Sequence, residues 1–467
     1  MNDGGFCNES EVEINHRLSN RSLYSTMSFY TETLELSRIS ALSFFEAGED
    51  DYSGERFFWQ NAEKTMTIVG IGHAHIIKGE GEERFEMVRK KWEVLCSTIV
   101  KEDPDIAPVL FGGFSFDPDN RLSSEWNVFP DAYFVVPTFQ LVIKHDRAYV
   151  TINHIAEEPI SAGQFDALRM ERDHLIHAAQ VRELNVHVKP VVTKMEERNK
   201  ELYMEAVEEV TKLIRKGQAD KVVIARSLKL SFDRTVTSSS ALAHVSNEQP
   251  ESFHFGLELG GKMFFGATPE RLVKVEKGKV LSTCLAGSIR RGKTADEDRV
   301  LGLALLNDPK NRSEHQYVVD MISTVMEQYC DSVRIPRQPK LLKIRDIQHL
   351  FTPVQGTLKK DSSLFQFVES LHPTPALGGE PREVAMDIIR SAEQMNRGYY
   401  AAPVGWIDGS GDGEFAVAIR SALLDGQEAY LYAGGGIVAD SQPVSEYEET
   451  KVKFRPMLRT LGGQLNG

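Results

Sequence analysis

Between Ser252 and Gly287 the chain reads SFHFGLEL-GG-KMFFGATPERLVKVEKGKVLSTCLAG, a succession of short β-type runs broken by glycine and charge. Strands joined by so few residues pair as antiparallel neighbours, because a parallel connection needs about a dozen residues or more. The same signature recurs in DAYFVVPTFQLVIKHDRAYVTI, where KHDR reads as a hairpin turn. It recurs again in GEFAVAIRSALLDGQEAYLYAGGGIV, which reads as one hairpin, and KVVIARSLKL is a further strand. Helical patterns lie in separate blocks. This arrangement predicts an α+β fold rather than a doubly wound parallel sheet.

The helical blocks carry their own punctuation. GEGEERFEMVRKKWEVLCSTIV places Phe85, Val88, Trp92 and Leu95 near one face of a helix. Residues about 160 to 215 read as a charged, solvated helical connector with Gly217 as its C′ residue. In DPKNRSEHQYVVDMISTVMEQYC, Asp308 is placed as N-cap and Pro309 in the first turn. EVAMDIIRSAEQM is another helix. In SEYEETKVKFRPMLRTL, Ser445 and Glu448 have the spacing of a capping box. Residues 1 to about 30 are polar and are expected to lack regular structure.

Composition limits the function classes. The 467 residues carry a net charge of −14, which argues against binding a nucleic-acid backbone but leaves a small anionic substrate open. Cys7, Cys96, Cys284 and Cys330 are scattered, so reduced structural thiols are expected rather than disulfides or a thiolate metal site. The N-terminus has no apolar signal region and no run of about 18 apolar residues occurs, so a cytoplasmic location without a membrane span is expected.

AGSIRRGKT, Ala286 to Thr294, fits the phosphate-loop expression literally. Its context argues otherwise. The preceding run carries Ser282, Thr283 and Cys284, unlike a buried parallel strand. Thr294 reads better as an N-cap, with Glu297 completing a capping box. GIGH at Gly70 to His73 lacks the third glycine of a dinucleotide site, and His73 and His75 have no further ligands in sequence. No GxSxG elbow and no HExxH occurs.

The acidic residues are more informative. Glu314 lies one turn into a helix, and Glu446 and Glu449 lie at i, i+3 on another, with Lys453 one turn further on. Carboxylates from two helices can hold Mg²⁺ while leaving room for a substrate oxygen, although isolated acidic residues usually just face solvent. Three consecutive glycines in YAGGGIV allow either a tight turn or close approach of a ligand to the backbone.

In order along the chain, KVVIARSL, FFGATPERLV, LAGSIRRG, DPKNRSEHQYVVDMI, IQHLFTPVQGTL, LHPTPALGGEP, FAVAIRSALL and YAGGGIVADSQPVSEYEETKVK occur. Together they resemble the chorismate-utilising enzymes, which include isochorismate, salicylate, anthranilate and aminodeoxychorismate synthases. The resemblance is specific from about residue 200 to 458 and looser upstream, where FGGFSFDP is similar to isochorismate synthases. It implies one α+β unit over residues 1–467, with two large, mostly antiparallel sheets packed together and helices outside. Residues 1–199 would add sheet and helices, and residues 200–458 would form the chorismate-binding catalytic region.

Carried over residue by residue, the resemblance implies Lys221 as general base and Glu270 as general acid. It implies Glu314 and Glu449 as Mg²⁺ ligands, with Glu446 just behind them. Arg420, Gly434, Gly287 and Lys453 would contact the substrate's carboxylates. Ser288, Ala376, Leu377, Ile419 and Tyr432 would complete the substrate site. The AGS of AGSIRRG then binds a carboxylate, not a nucleotide phosphate, and Lys293 has no catalytic role.

HPTPALGG, His372 to Gly379, is similar to isochorismate synthases and departs from the amide-forming and salicylate-forming members. Lys221 also favours water over ammonia as nucleophile. The resemblance therefore implies Mg²⁺-dependent conversion of chorismate to isochorismate, with the long N-terminal part closer to the menaquinone-pathway type than to the siderophore type. No amidotransferase subunit is expected. A salicylate synthase or a siderophore-pathway isochorismate synthase is the alternative, and a non-catalytic chorismate-binding relative is the alternative of a different class.

Overall fold

The computed structural model describes residues 27–100, 106–120, 125–157, 161–181, 188–198 and 200–464. The chain opens with β1 (Ser28–Leu36), helices α1 (Ala41–Ala47) and α2 (Glu49–Tyr52), and strands β2 (Arg56–Gln60) and β3 (Met66–Gly79). Helix α3 (Arg84–Cys96) leads to β4 (Val109–Phe114), β5 (Ala132–Lys144) and β6 (Arg147–Ala156). Helix α4 (Ala162–Val181), β7 (Val192–Glu197) and α5 (Lys200–Arg215) precede β8 (Lys221–Phe232) and α6 (Ser238–Glu248). The meander follows as β9 (Phe253–Leu259), β10 (Lys262–Thr268), β11 (Arg271–Glu276) and β12 (Lys279–Arg290). Next come α7 (Ala295–Asn307), α8 (Pro309–Tyr329), β13 (Cys330–Arg334), β14 (Lys340–Lys343), β15 (Ile347–Leu358) and α9 (Leu364–Leu371). The chain finishes with β16 (Gly379–Glu380), α10 (Arg382–Ala392), β17 (Pro403–Asp408), β18 (Gly413–Val417), β19 (Ser421–Asp425), β20 (Glu428–Ile437) and α11 (Pro443–Thr460).

The ladders between these strands are antiparallel, as the tight connections require. One run of strands is β1-β6-β5-β3-β2-β9-β10-β19-β20-β8-β7. The other is β5-β4-β17-β18-β11-β12-β15, with β13 and β14 on β15. Strand β5 belongs to both, pairing with β4 over Ala132–Val135 and with β6 over Phe139–Lys144. The two sheets are thus one hydrogen-bonded network folded over on itself. Side chains alternate across it with the strand period of two. Phe57 and Trp59 of β2 meet Phe111 of β4 between the sheets, with Phe57 stacked on Phe111 at 4.3 Å. Phe58 points the other way, against Phe45 of α1, in a second core that includes Leu242 of α6 and Phe454 of α11.

Local signals hold where a side chain sets the geometry. Asp308 caps α8 by accepting from the Asn311 N–H at 2.7 Å, with Pro309 at the start. His145 and Asp146 both take positive φ, 50° and 62°, in the β5–β6 turn. Gly217 follows α5 with φ 75°. Phe85, Val88, Trp92 and Leu95 are all buried.

Five expectations are corrected. Ser28 to Tyr30 already belong to β1, while residues 1–26 lie outside the described residues and Cys7 with them. The charged connector is interrupted by β7, an edge strand whose VTKMEE sequence is largely solvent-facing and so lacks an apolar alternation. Helix α11 starts at Pro443 with Gln442 as N-cap, so Ser445 lies within the first turn and forms no capping box. At α7, Thr294 accepts from Glu297 N–H as expected, but the Glu297 carboxylate turns back to the N–H of Lys293, one residue early. Finally, GEFAVAIRSALL is not one strand. Strand β18 ends at Val417 and pairs with β11 and β17, whereas β19 starts at Ser421 and pairs with β10 and β20.

Candidate active site

The break between β18 and β19 is where the chain passes from one sheet to the other, and it delivers Arg420 into a cavity. Arg420 takes φ 52°, a left-handed conformation that costs a residue with a Cβ roughly 1–2 kcal/mol. The conformation is pinned by Ala267 N–H donating to the Arg420 carbonyl at 3.1 Å and by Ser421 Oγ donating to the Ala418 carbonyl at 2.9 Å. The side chain is half-buried and has no carboxylate in ion-pair contact among the described residues.

The cavity has a volume of about 690 Å³ and receives the start of β8, the middle of β20, the bend of β12 and the first turns of α8 and α11. Lys221, Glu270, Gly287, Ser288, Glu314, Ala376, Leu377, Ile419, Arg420, Gly434, Glu449 and Lys453 all line it. Tyr432 does not. Its ring lies behind the wall, stacked at 5.4 Å on Tyr400, which does line the cavity.

Backbone irregularities shape the walls. In β12 the register against β15 shifts between Leu285 and Ser288, a β-bulge in which Gly287 has φ 79°. The bulge is braced from below: His315 Nδ1–H donates to the Ala286 carbonyl at 2.9 Å, and Thr352 Oγ1 bonds His315 Nε2 at 2.7 Å. The phosphate-loop match is dissolved by this arrangement, because Ala286 to Arg290 are strand and Lys293 is exposed outside the cavity. The three glycines are not a turn either. Gly434 to Gly436 are paired with β8 inside β20. A Cβ on Gly436 would lie 2.5 Å from Lys221 Cε, so glycine there leaves room for the lysine side chain.

The electrostatics are uneven. Burial pushes the Glu270 carboxyl up to about 7, against the pull of Arg420 and Lys221. Lys221 Nζ donates to Glu314 Oε1 at 2.6 Å. Lys453 Nζ donates to the Gly434 carbonyl at 2.9 Å and pairs with Glu449 at 2.7 Å, holding that carboxyl below its ordinary range. Burial, and the repulsion of Glu449, raise Glu446, which accepts from Ser441 Oγ at 2.7 Å. Three acidic side chains thus share one wall with two lysines. No cluster of three His, Cys, Asp or Glu groups positioned to share a metal ion is present among the described residues.

Of the lining residues that the sequence did not point to, three have a clear chemical or structural part. His349 on β15 is held neutral, pushed down to about 3 by burial, and its Nδ1 bonds Ser288 Oγ at 2.6 Å. Its only signal was a histidine inside the strand IQHLF. Tyr400 forms the aromatic wall, and Arg397 donates to the carbonyls of Leu377 at 2.9 Å and Val223 at 2.7 Å while paired with Glu393.

A chorismate binding enzyme family model matches residues 16–462. The chain belongs to that family. It is 43% identical over 441 residues to the isochorismate synthase MenF of Bacillus subtilis, covering 92% of this chain and 93% of that one. It is 35% identical over 442 residues to the salicylate biosynthesis isochorismate synthase of Pseudomonas aeruginosa, covering 92% and 90%. In fold it matches the solved menaquinone-specific isochorismate synthase MenF of Escherichia coli, with a TM-score of 0.78, 23% identity, and coverage of 96% of this chain and 99% of that one. Among the described residues, no helix is long and apolar enough to cross a membrane.

Proposed function

We propose that this protein is an isochorismate synthase, acting in the cytoplasm on chorismate without an amidotransferase partner and supplying the menaquinone pathway. The supporting observation is that one cavity gathers an amine, a carboxyl whose pKa is raised to about 7 and a guanidinium without a carboxylate partner among the described residues: Lys221, Glu270 and Arg420. The full-length likeness to the Bacillus enzyme supports the choice of reaction.

The chemistry is a displacement along a conjugated ring. Lys221, in its amine form, takes a proton from water as the oxygen attacks C2. The double bonds shift, and the C4–O bond breaks. Glu270, in its protonated form, donates to the departing hydroxyl, which leaves as water. One water enters and one leaves, so the product is an isomer of the substrate. A buried carboxyl suits the acid role because it keeps its proton at a pH where an exposed glutamate has lost it. Arg420 offers a free bidentate donor to a substrate carboxylate, and the Gly287 bulge allows close approach of backbone. Tyr400 and Ile419 provide an apolar face for the ring.

The donor set fits a hard divalent cation. Glu314, Glu446 and Glu449 present carboxylate oxygens to one cavity, and Glu446 already feels the charge of Glu449. Glu314 and Glu449 would hold Mg²⁺, with Glu446 behind them. When bound, the ion would neutralise a substrate carboxylate and release Lys221 from its pairing with Glu314.

Incubation of the purified protein with chorismate and Mg²⁺, followed by chromatographic separation of products, tests the reading. Isochorismate is expected, released without loss of pyruvate. Salicylate as the dominant early product, or unchanged chorismate, would refute it.

A further inference from the structure

Strand β8 carries Lys221 at its first position and has two edges to satisfy. Along one edge β20 pairs with it from Val222 to Ser231. The other edge is covered in two pieces. Strand β16 pairs with Lys221 and Val222, and β7 pairs with β8 from Leu228 to Phe232. Among the described residues no strand lies against β8 between these two pieces. An edge left bare inside a protein would leave N–H and C=O groups without partners, each at a cost comparable to a lost hydrogen bond.

Two side chains take the place of the missing strand. Val223 N–H still meets backbone, donating to the Gly378 carbonyl at 2.8 Å. Beyond it, the Val223 carbonyl accepts from Arg397 Nη2 at 2.7 Å, and Ala225 N–H donates to Glu393 Oε1 at 2.7 Å. The two side chains also hold each other. Arg397 Nε donates to Glu393 Oε2 at 2.8 Å, and Arg397 Nη2 donates to Glu393 Oε1. Both are buried. Arg397 Nη1 donates to the Leu377 carbonyl at 2.9 Å, and the guanidinium lies 4.2 Å over the Phe116 ring.

These bonds converge on the catalytic cavity. Lys221 and Val223 line it from β8, and Ala376 and Leu377 line it from the segment before β16. One guanidinium therefore bonds both the strand that carries Lys221 and the facing wall at Leu377, while Glu393 holds its plane and grips β8 two residues further on. A planar fork fixes direction as well as distance, which a single ammonium cannot do. A buried ion pair is by itself weak evidence of stabilisation. Arg56 and Glu258 form a similarly buried bidentate pair, with Arg56 Nη1 on the Phe45 carbonyl at 2.9 Å, but neither lines the cavity. We propose that Glu393 and Arg397 are positioning residues for Lys221. They fix the Lys221 end of β8 against Leu377, so that the amine meets the attacking water at the bound substrate. The proposal rests on the reading of Lys221 as the base.

Steady-state kinetics of the full-length protein with chorismate and Mg²⁺ test this. Arg397→Lys keeps a charge for Glu393 but cannot hold Val223, Leu377 and both carboxylate oxygens in one plane. Its kcat should fall by about 10–100-fold, the scale of a misplacement approaching 1 Å, with KM within a few-fold of wild type. Arg56→Lys, which weakens the comparable pair away from the cavity, should keep the wild-type kcat. The discriminating arm is a double-mutant cycle. In a Lys221→Ala background, Arg397→Lys should change kcat by no more than a few-fold, because the amine it positions is gone. A purely structural role would lower turnover by the same factor in both backgrounds. Glu393→Gln keeps an acceptor for Ala225 N–H and should follow the same pattern, so it carries the test if Arg397→Lys does not fold. Near-wild-type kcat in both variants, a raised KM at unchanged kcat, equal losses in the two backgrounds or an equal loss in Arg56→Lys would overturn the proposal. So would loss of the folded circular dichroism spectrum in both variants, which would make the pair structural. Wild-type protein that fails to convert chorismate would refute the catalytic reading itself, so the two failures are distinguishable.

Discussion

Replacing Glu270 by glutamine should make the protein more stable and nearly inactive at once. Burial disfavours the anion and pushes the folded carboxyl up from 4.5 to about 7. Between those two values the folded state binds a proton that the unfolded state has lost, so the contribution of Glu270 to stability falls as pH rises through this window and stays low above it. Linkage from 4.5 to about 7 puts the penalty at about 3 kcal/mol at pH 8 and under about 1 kcal/mol at pH 5. Glutamine keeps the shape and carries no charge. Glu270→Gln should therefore gain on the wild type by about 2–3 kcal/mol more at pH 8 than at pH 5, read from denaturant unfolding at both values. Turnover should fall by about 10²–10⁴, the usual value of a positioned acid. In the wild type, activity should decline as pH rises through about 7, as Glu270 gives up its proton. A variant with activity within a few-fold of wild type, or a stability difference that does not grow with pH, would refute the reasoning.

Gly436→Ala should place a methyl group 2.5 Å from Lys221 Cε and displace the amine; a shift of about 1 Å costs about 100-fold in turnover, with an unchanged circular dichroism spectrum. Lys293→Ala should keep near-normal turnover, and calorimetry should show no Mg-ATP binding at millimolar concentration, since Lys293 is exposed and outside the cavity. Glu449→Gln should lose most activity at moderate Mg²⁺ and need more of the ion for half-maximal rate, measured by titrating Mg²⁺ at saturating chorismate.

Much of this was legible in residue order. Tight glycine and charge breaks dictated antiparallel ladders, and Asp308, Gly217 and the KHDR turn acted through their own side chains or backbone freedom. What local patterns could not show depended on tertiary pairing. The apolar run AVAIRSALL gives no hint that Val417 and Ser421 pair in different sheets, yet that break carries Arg420 into the cavity. The glycines of YAGGGIV leave a turn and a ligand-facing strand equally open until β8 is laid beside them. Strand β7 has the polar sequence of a solvated helix, because only β8 holds it. His349 and Arg397 were invisible for a related reason: each gains its place from a partner far along the chain, Ser288 for one and Val223 for the other. Tyr432 shows the converse, a residue on β20, the strand whose glycines line the cavity, but placed behind Tyr400.

In the proposed reaction water attacks C2 while the 4-hydroxyl departs from the other end of the conjugated system, with Lys221 and Glu270 moving the two protons. Turnover of unlabelled chorismate in H₂¹⁸O tests this most directly. Mass spectrometry should find one ¹⁸O in isochorismate, at the new C2 hydroxyl, formed by the wild type and at a rate lower by about 10²–10⁴ by Lys221→Ala. Isochorismate without the label, or a Lys221→Ala enzyme as fast as the wild type, would contradict it.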